Sequence, residues 1–141
     1  MKGVINVQGQ SIRSYFSALQ VGDLFFNRGE YFRKISQTHA LNLNLMKPLY
    51  YKGQIVVRVN RAIYFTLPCF ERGERTTYDM IPVGSTFTLI NCCTAMHNTV
   101  MMKISESEAM YMETLTMCGW DYSADDVVEL ASCDEVKFTL Q

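Results

Sequence analysis

Phe16-Ser-Ala-Leu19-Gln-Val21-Gly22-Asp-Leu-Phe25 aligns without a gap on Tyr78-Asp-Met-Ile81-Pro-Val83-Gly84-Ser-Thr-Phe87. Downstream, Lys34-Ile35-Ser36, three residues and Ala40 align on Lys103-Ile104-Ser105, three residues and Ala109. Each copy then reaches a Val-Val pair, Val56-Val57 in the first and Val127-Val128 in the second. Internal repetition decides the architecture before any local reading does. The chain is read as an internal duplication of one small unit. Gly22 and Gly84 are expected in equivalent turns, and Ile35 and Ile104 in equivalent core positions.

Between these marks the texture is β. Asp23–Phe26, Tyr31–Ser36, His39–Leu45, Gln54–Val59 and Ala62–Leu67 are short β-prone runs, and Asn27-Arg28-Gly29-Glu30 joins the first two as a hairpin. Lys47-Pro48 is read as a break. The second copy repeats the pattern at Thr86–Ile90, Thr99–Ile104, Ala109–Met117, Asp126–Leu130 and Val136–Leu140, with a loop over 118–123. Gly3–Val7 reads as an edge strand. In Ser11–Leu19, Ile12, Tyr15, Phe16 and Leu19 fall at i, i+3, i+4 and i+7, which predicts a short N-terminal helix.

The fold class expected is all-β with minor α: two related barrel- or sandwich-like units. Residues 1–68 form the first, 69–77 a polar connector and 78–141 the second. The second copy takes 19 positions from Gly84 to Lys103 where the first takes 12 from Gly22 to Lys34, so seven extra residues enlarge its hairpin around Asn91–Asn98. Units of about 60 residues are marginal alone, so packing on each other or in an oligomer is expected.

Val-Gly-x-x-Phe, a hairpin, Lys-Ile-Ser-x-x-x-Ala-x-Asn-Leu and a closing Val-Val-x-Val resemble small β-barrel accessory proteins of tailed bacteriophages. Residues 21–59 carry the likeness, through Val21-Gly22, Phe25, Asn27, Tyr31, Lys34-Ile35-Ser36, Ala40, Asn42-Leu43 and Val56-Val57. The second copy departs from it, with Tyr111-Met112 where Asn-Leu would stand. The resemblance implies a phage accessory protein of unassigned role, located in the host cell cytoplasm, and carries no catalytic residues over.

Composition sets the outer bounds. Hydrophobic residues make up 48% and aromatics 12% of 141 residues, enough for a core and too many for disorder. No apolar run is long enough for a membrane helix and no signal peptide is evident, so the chain is read as soluble and cytoplasmic, with no membrane partner. Five cysteines, an odd number, are read as reduced thiols. Residues 1–68 carry nine Lys/Arg and two Asp/Glu, net +7; residues 69–141 carry four and twelve, net −8. Such a split points to attraction between the halves or to a charged partner.

No cofactor or metal is expected. Cys92, Cys93 and His97 are close in sequence, but neighbouring strand residues point to opposite faces and the spacing is not that of a zinc site. Pairing these cysteines with His39 or His97 as nucleophile and base lacks any orienting third group. Asp121, Asp125, Asp126 and Glu129 are read as a solvated loop running into a strand. Phosphate-binding glycine loops are absent.

The function expected is therefore non-enzymatic: an interaction protein, with a host or phage protein as partner, acting for instance in counter-defence, and forming a homo-oligomer. Met96 and His97 in the enlarged hairpin, with Trp120 and Tyr122 in the following loop, are its expected contact residues. An alternative is single-stranded nucleic-acid binding by Arg28, Tyr31, Arg33, Tyr51, Lys52, Arg58 and Arg61, cations interleaved with aromatic platforms. A further alternative is sequestration of a small nucleotide-like ligand.

Overall fold

The computed structural model describes residues 1–7, 11–59, 62–90, 99–119 and 121–140. Arg61, Cys92, Cys93, Met96, His97 and Trp120, with the whole Asn91–Asn98 hairpin, lie outside the described residues.

In chain order the strands are β1 (Lys2–Val7), β2 (Ser11–Tyr15), β3 (Leu24–Asn27), β4 (Glu30–Lys34), β5 (His39–Asn42), β6 (Lys47–Tyr50), β7 (Ile55–Val59) and β8 (Ile63–Phe65). They continue as β9 (Glu71–Thr77), β10 (Thr86–Leu89), β11 (Met101–Lys103), β12 (Ala109–Tyr111), β13 (Thr116–Met117), β14 (Val127–Ser132) and β15 (Glu135–Leu140). Two short 3-10 turns, Phe16–Ala18 and Tyr78–Met80, follow β2 and β9. One sheet runs β2-β7-β3-β4-β5-β6 and another β9-β14-β10-β11-β12-β13. Position for position these are the same order, so the duplication expected from sequence is present in the topology.

The chain divides into a first unit, Met1–Thr66 with the chain from Asp134 onward, and a second, Leu67–Cys133. Three expectations need correction. Ser11–Leu19 is not a helix: Ser11–Tyr15 pairs with β7, and only Phe16–Ala18 turns helically. Its helical spacing arises because a strand followed by a 3-10 turn also delivers Phe16 and Leu19 to the core, while Tyr15 faces outward. Most of the 69–77 connector is strand β9, which opens the second copy as β2 opens the first. The C-terminal strand β15 pairs in parallel with β1 and antiparallel with β8, within the first unit.

Two smaller misreadings have clear causes. Lys47-Pro48 sits inside strand β6, which tolerates proline because it is the sheet edge and that N–H has no ladder partner to lose. Residues 109–117 are two strands, because Leu115 turns the chain at φ 54, as Met46 does in the first unit at φ 52.

Each letter of the repeated Lys-Ile-Ser has a task. Lys34 is 0% and Lys103 5% exposed, which a lysine tolerates only with its ammonium bonded. Lys34 Nζ donates to the carbonyls of Phe16 (3.0 Å) and Leu19 (2.7 Å) and lies 4.6 Å from the Phe16 ring centroid. Lys103 Nζ donates to Tyr78 (2.8 Å) and Ile81 (2.9 Å) and lies 4.6 Å from the Tyr78 ring centroid. The lysine thus bonds the carbonyls at the two ends of the single turn, in the first unit adding a second donor to Phe16 O, which also accepts from Leu19 N–H at 3.1 Å, and makes a cation–π contact. Desolvation pushes the Lys34 pKa down, and the Asp23 carboxylate pulls it partly back.

Ile35 and Ile104 are buried, and the hydroxyls of Ser36 and Ser105 accept from the N–H groups of His39 (3.0 Å) and Glu108 (3.2 Å). Gly22 (φ 100) and Gly84 (φ 93) hold the left-handed turn before β3 and β10, donating to the carbonyls of Lys34 (2.7 Å) and Lys103 (2.8 Å).

Around each lysine stands the same set of rings. Phe16 stacks on Tyr51 at 5.1 Å and meets Phe25 edge-on at 5.5 Å. Tyr78 stacks on Tyr122 at 4.9 Å and meets Phe87 edge-on at 5.5 Å. Such offset and edge contacts are the favoured aromatic geometries.

Candidate interaction surface

Of the residues singled out for contact in the second unit, Met96, His97 and Trp120 lie outside the described residues and Tyr122 alone is described. Tyr122 is buried in the core, stacked on Tyr78, and burial followed by the neighbouring Cys118 raises its phenol pKa strongly. Its first-unit counterpart Tyr51 is buried too, its hydroxyl accepting from Asn27 Nδ2 at 3.2 Å.

The six described residues of the nucleic-acid alternative lie on different parts of the first unit. Arg28 is exposed at the β3–β4 hairpin tip, at φ 50 beside Gly29 at φ 83, the two positive values of a type I′ turn. Tyr31 and Arg33 share one face of β4 and are half-buried. Arg58 faces the other side, with its Nε 3.8 Å from the Asp23 carboxylate. Lys52 is exposed beside the Tyr50 ring, Tyr51 is in the core and Arg61 is outside the described residues.

Among the described residues no three His, Cys, Asp or Glu side chains gather as metal ligands. Asp121 and Asp125 are exposed, and Asp126 caps its own turn by accepting from Ser123 N–H at 2.9 Å.

The duplication supplies an internal control, because positions that serve only the fold should match between copies. The cores match. One patch does not. Register places Arg13, Val57, Phe26 and Tyr31 in one row across β2, β7, β3 and β4, and pairs Tyr15 with Ile55 beside it on the same face. Tyr15 is 58% and Ile55 61% exposed. The Phe26 and Tyr31 rings lie 5.0 Å apart and are half-buried. Going toward the sheet's other end, Leu24 and Val59 on this face are buried, so the patch grades from wet to dry.

The same positions in the second unit read differently. Thr77 pairs with Val127 where Tyr15 pairs with Ile55, and Arg75 pairs with Glu129 where Arg13 pairs with Val57. Thr88 stands opposite Glu129, in the place of Phe26. Glu129 is buried and accepts from Arg72 (3.0 Å) and Arg75 (3.2 Å), closing this face with a charge cluster. The part of the face that carries a buried charge cluster in one copy carries part-exposed aromatic and aliphatic side chains in the other.

Glu129 gives a pH prediction. Its bonds to Arg72 and then Arg75 lower its pKa below the ordinary 4.5. A carboxylate depressed by folding contributes stability that is fully present above its unfolded pKa and is lost as pH falls through the folded one. Urea midpoints measured from pH 7 down to pH about 3 should fall in the parent and fall less in Glu129→Gln. Parallel curves would show that the cluster contributes nothing.

The sequence reading missed Arg13, Tyr15, Phe26, Ile55 and Val57. The cause is a slip in register. Phe16 N–H bonds to Gln54 O and Tyr78 N–H to Asp126 O, so Ile55-Val56-Val57 corresponds to Val127-Val128-Glu129. Aligning Val56-Val57 on Val127-Val128 is therefore off by one, and a slip of one residue exchanges the two faces of a strand.

The units differ in charge as well. The first carries ten Lys/Arg and four Asp/Glu, net +6, and the second three and ten, net −7. Compared with known proteins, the chain matches no family model, no curated protein and no solved structure. No helix of the described residues is long and apolar enough to cross a membrane.

Proposed function

We propose that the protein is a non-enzymatic binding protein whose working surface is the outer face of the first unit: Tyr15, Ile55, Val57, Phe26 and Tyr31 with Arg13 at the edge. The observation that carries this reading is the divergence of that face from its counterpart in the second unit, while the lysine and the three central rings behind both correspond. Aromatic side chains and arginine, part-exposed on a rigid sheet, are the types that anchor protein interfaces. The partner is a protein with apolar and acidic groups, in keeping with an accessory factor of the phage kind working in a bacterial cytoplasm on a host or defence component.

The test uses the second unit's own residues. Tyr15→Thr with Ile55→Val places there what Thr77 and Val127 show to be compatible with this fold, so the thermal midpoint should hardly move. Immobilised parent protein should retain a bacterial protein that the double variant loses. Equal retention by both would remove the outer face as the working surface. Binding of an oligothymidylate that weakens steeply with salt would put the nucleic-acid reading in its place.

A further inference from the structure

We propose that one occupant of this outer face is a second copy of the chain, which presents the tip of its acidic unit. The inference rests on the reading of the outer face as a binding surface and names a partner for it. The second unit exposes two large apolar side chains in and just beyond its 3-10 turn, Met80 at 71% and Val83 at 54%. Asp79 lies beside Met80, and its N–H bonds to Ala124 O (3.0 Å), which brings exposed Asp125 to the same tip. An apolar tip with an acidic rim thus exists on a unit of net −7, and an apolar patch with Arg13 at its edge on a unit of net +6.

Charge decides the mode of association. A two-fold contact of the outer face with itself would set two basic units, each of net +6, against each other, and like charges oppose it. Basic patch against acidic tip is attractive, and each copy uses one surface of each kind, either reciprocally in a two-fold pair or head to tail in rings or open chains. Exposed charges are screened by salt, so the association should weaken as ionic strength rises.

Sedimentation velocity of the full chain, over a wide concentration range and at low and high salt, tests this. The parent should shift to larger species with concentration and back with salt. Arg13→Glu alone and Asp79→Lys alone should each lower the association constant about tenfold or more, a change of about 1.4 kcal/mol. An equimolar mixture of the two variants should associate again. The acidified patch of the Arg13→Glu variant then meets the basic tip of the Asp79→Lys variant, and the native patch of the latter meets the native tip of the former. Circular dichroism melts check that both variants stay folded, and if Asp79→Lys does not, Asp125→Lys takes its place. A parent that is monomeric throughout, or a mixture that stays monomeric, overturns the proposal. If a monomeric parent still retains a bacterial protein that Tyr15→Thr/Ile55→Val loses, the binding reading stands and only the second copy falls.

Discussion

Replacing either buried lysine by methionine should cost about 3–5 kcal/mol of unfolding free energy. Methionine fills nearly the same volume, so the loss is not a cavity effect. It comes from the carbonyls: Phe16 and Leu19 lose Lys34, and Tyr78 and Ile81 lose Lys103. Phe16 O keeps its bond from Leu19 N–H at 3.1 Å, a buried carbonyl that loses its donor costs about 1–3 kcal/mol, and the cation–π contact goes as well. The desolvation of an ammonium is recovered, which keeps the total below the sum of the parts. Domains of this size are stable by about 5–15 kcal/mol, so the loss is a large share. Hydrogen exchange should rise first in the unit that carries the substitution. A cost under about 1 kcal/mol for both would mean the lysines are passengers.

Phe25→Ala and Phe87→Ala should each destabilise by about 3–5 kcal/mol, the range for removing a buried ring from a core. Both rings are fully buried. Phe25 touches three others: Phe16 at 5.5 Å, Phe32 at 5.1 Å and Tyr51 at 5.3 Å. Phe87 touches Tyr78 at 5.5 Å and Tyr122 at 5.8 Å, and opposite it Met101 occupies the place of Phe32. A methionine relaxes into a void more readily than a ring. The Phe87→Ala cost should therefore lie at the lower end of the range and that of Phe25→Ala at the upper. Chemical denaturation followed by near-ultraviolet circular dichroism measures both, and the reverse order would show that the two cores do not pack as equivalents.

The duplication was legible because its marks are residues with no freedom: a glycine at positive φ, a lysine with two carbonyls to satisfy, an isoleucine in the core, a serine closing a turn. Gly22-to-Phe25 and Lys34-Ile35-Ser36 recur for that reason. The start of each copy was not legible, since Ser11–Tyr15 and Glu71–Thr77 share little beyond strand character, and an edge strand needs only backbone bonds to hold its place. The C-terminal strand could not be assigned either, because its pairing with β1 spans the whole chain and leaves no local trace.

The interaction surface was hidden for a different reason. Aromatic residues read in sequence order mix the two faces of a strand, so Tyr31 on the outer face and Tyr51 in the core looked alike. Only register sorts them, and register turned on one hydrogen bond in each copy, Phe16 to Gln54 and Tyr78 to Asp126.

The comparison between copies depends on their being the same unit, each closed by its own lysine. The chain has six lysines, four of them, Lys2, Lys47, Lys52 and Lys137, exposed. A proton–nitrogen correlation spectrum of the lysine ammonium groups near neutral pH separates buried from exposed ones, since exposed ammonium protons exchange with water too fast to be seen. Two slowly exchanging ammonium signals are expected, one vanishing in Lys34→Met and the other in Lys103→Met. No such signal, or one alone, would contradict the equivalence of the two units.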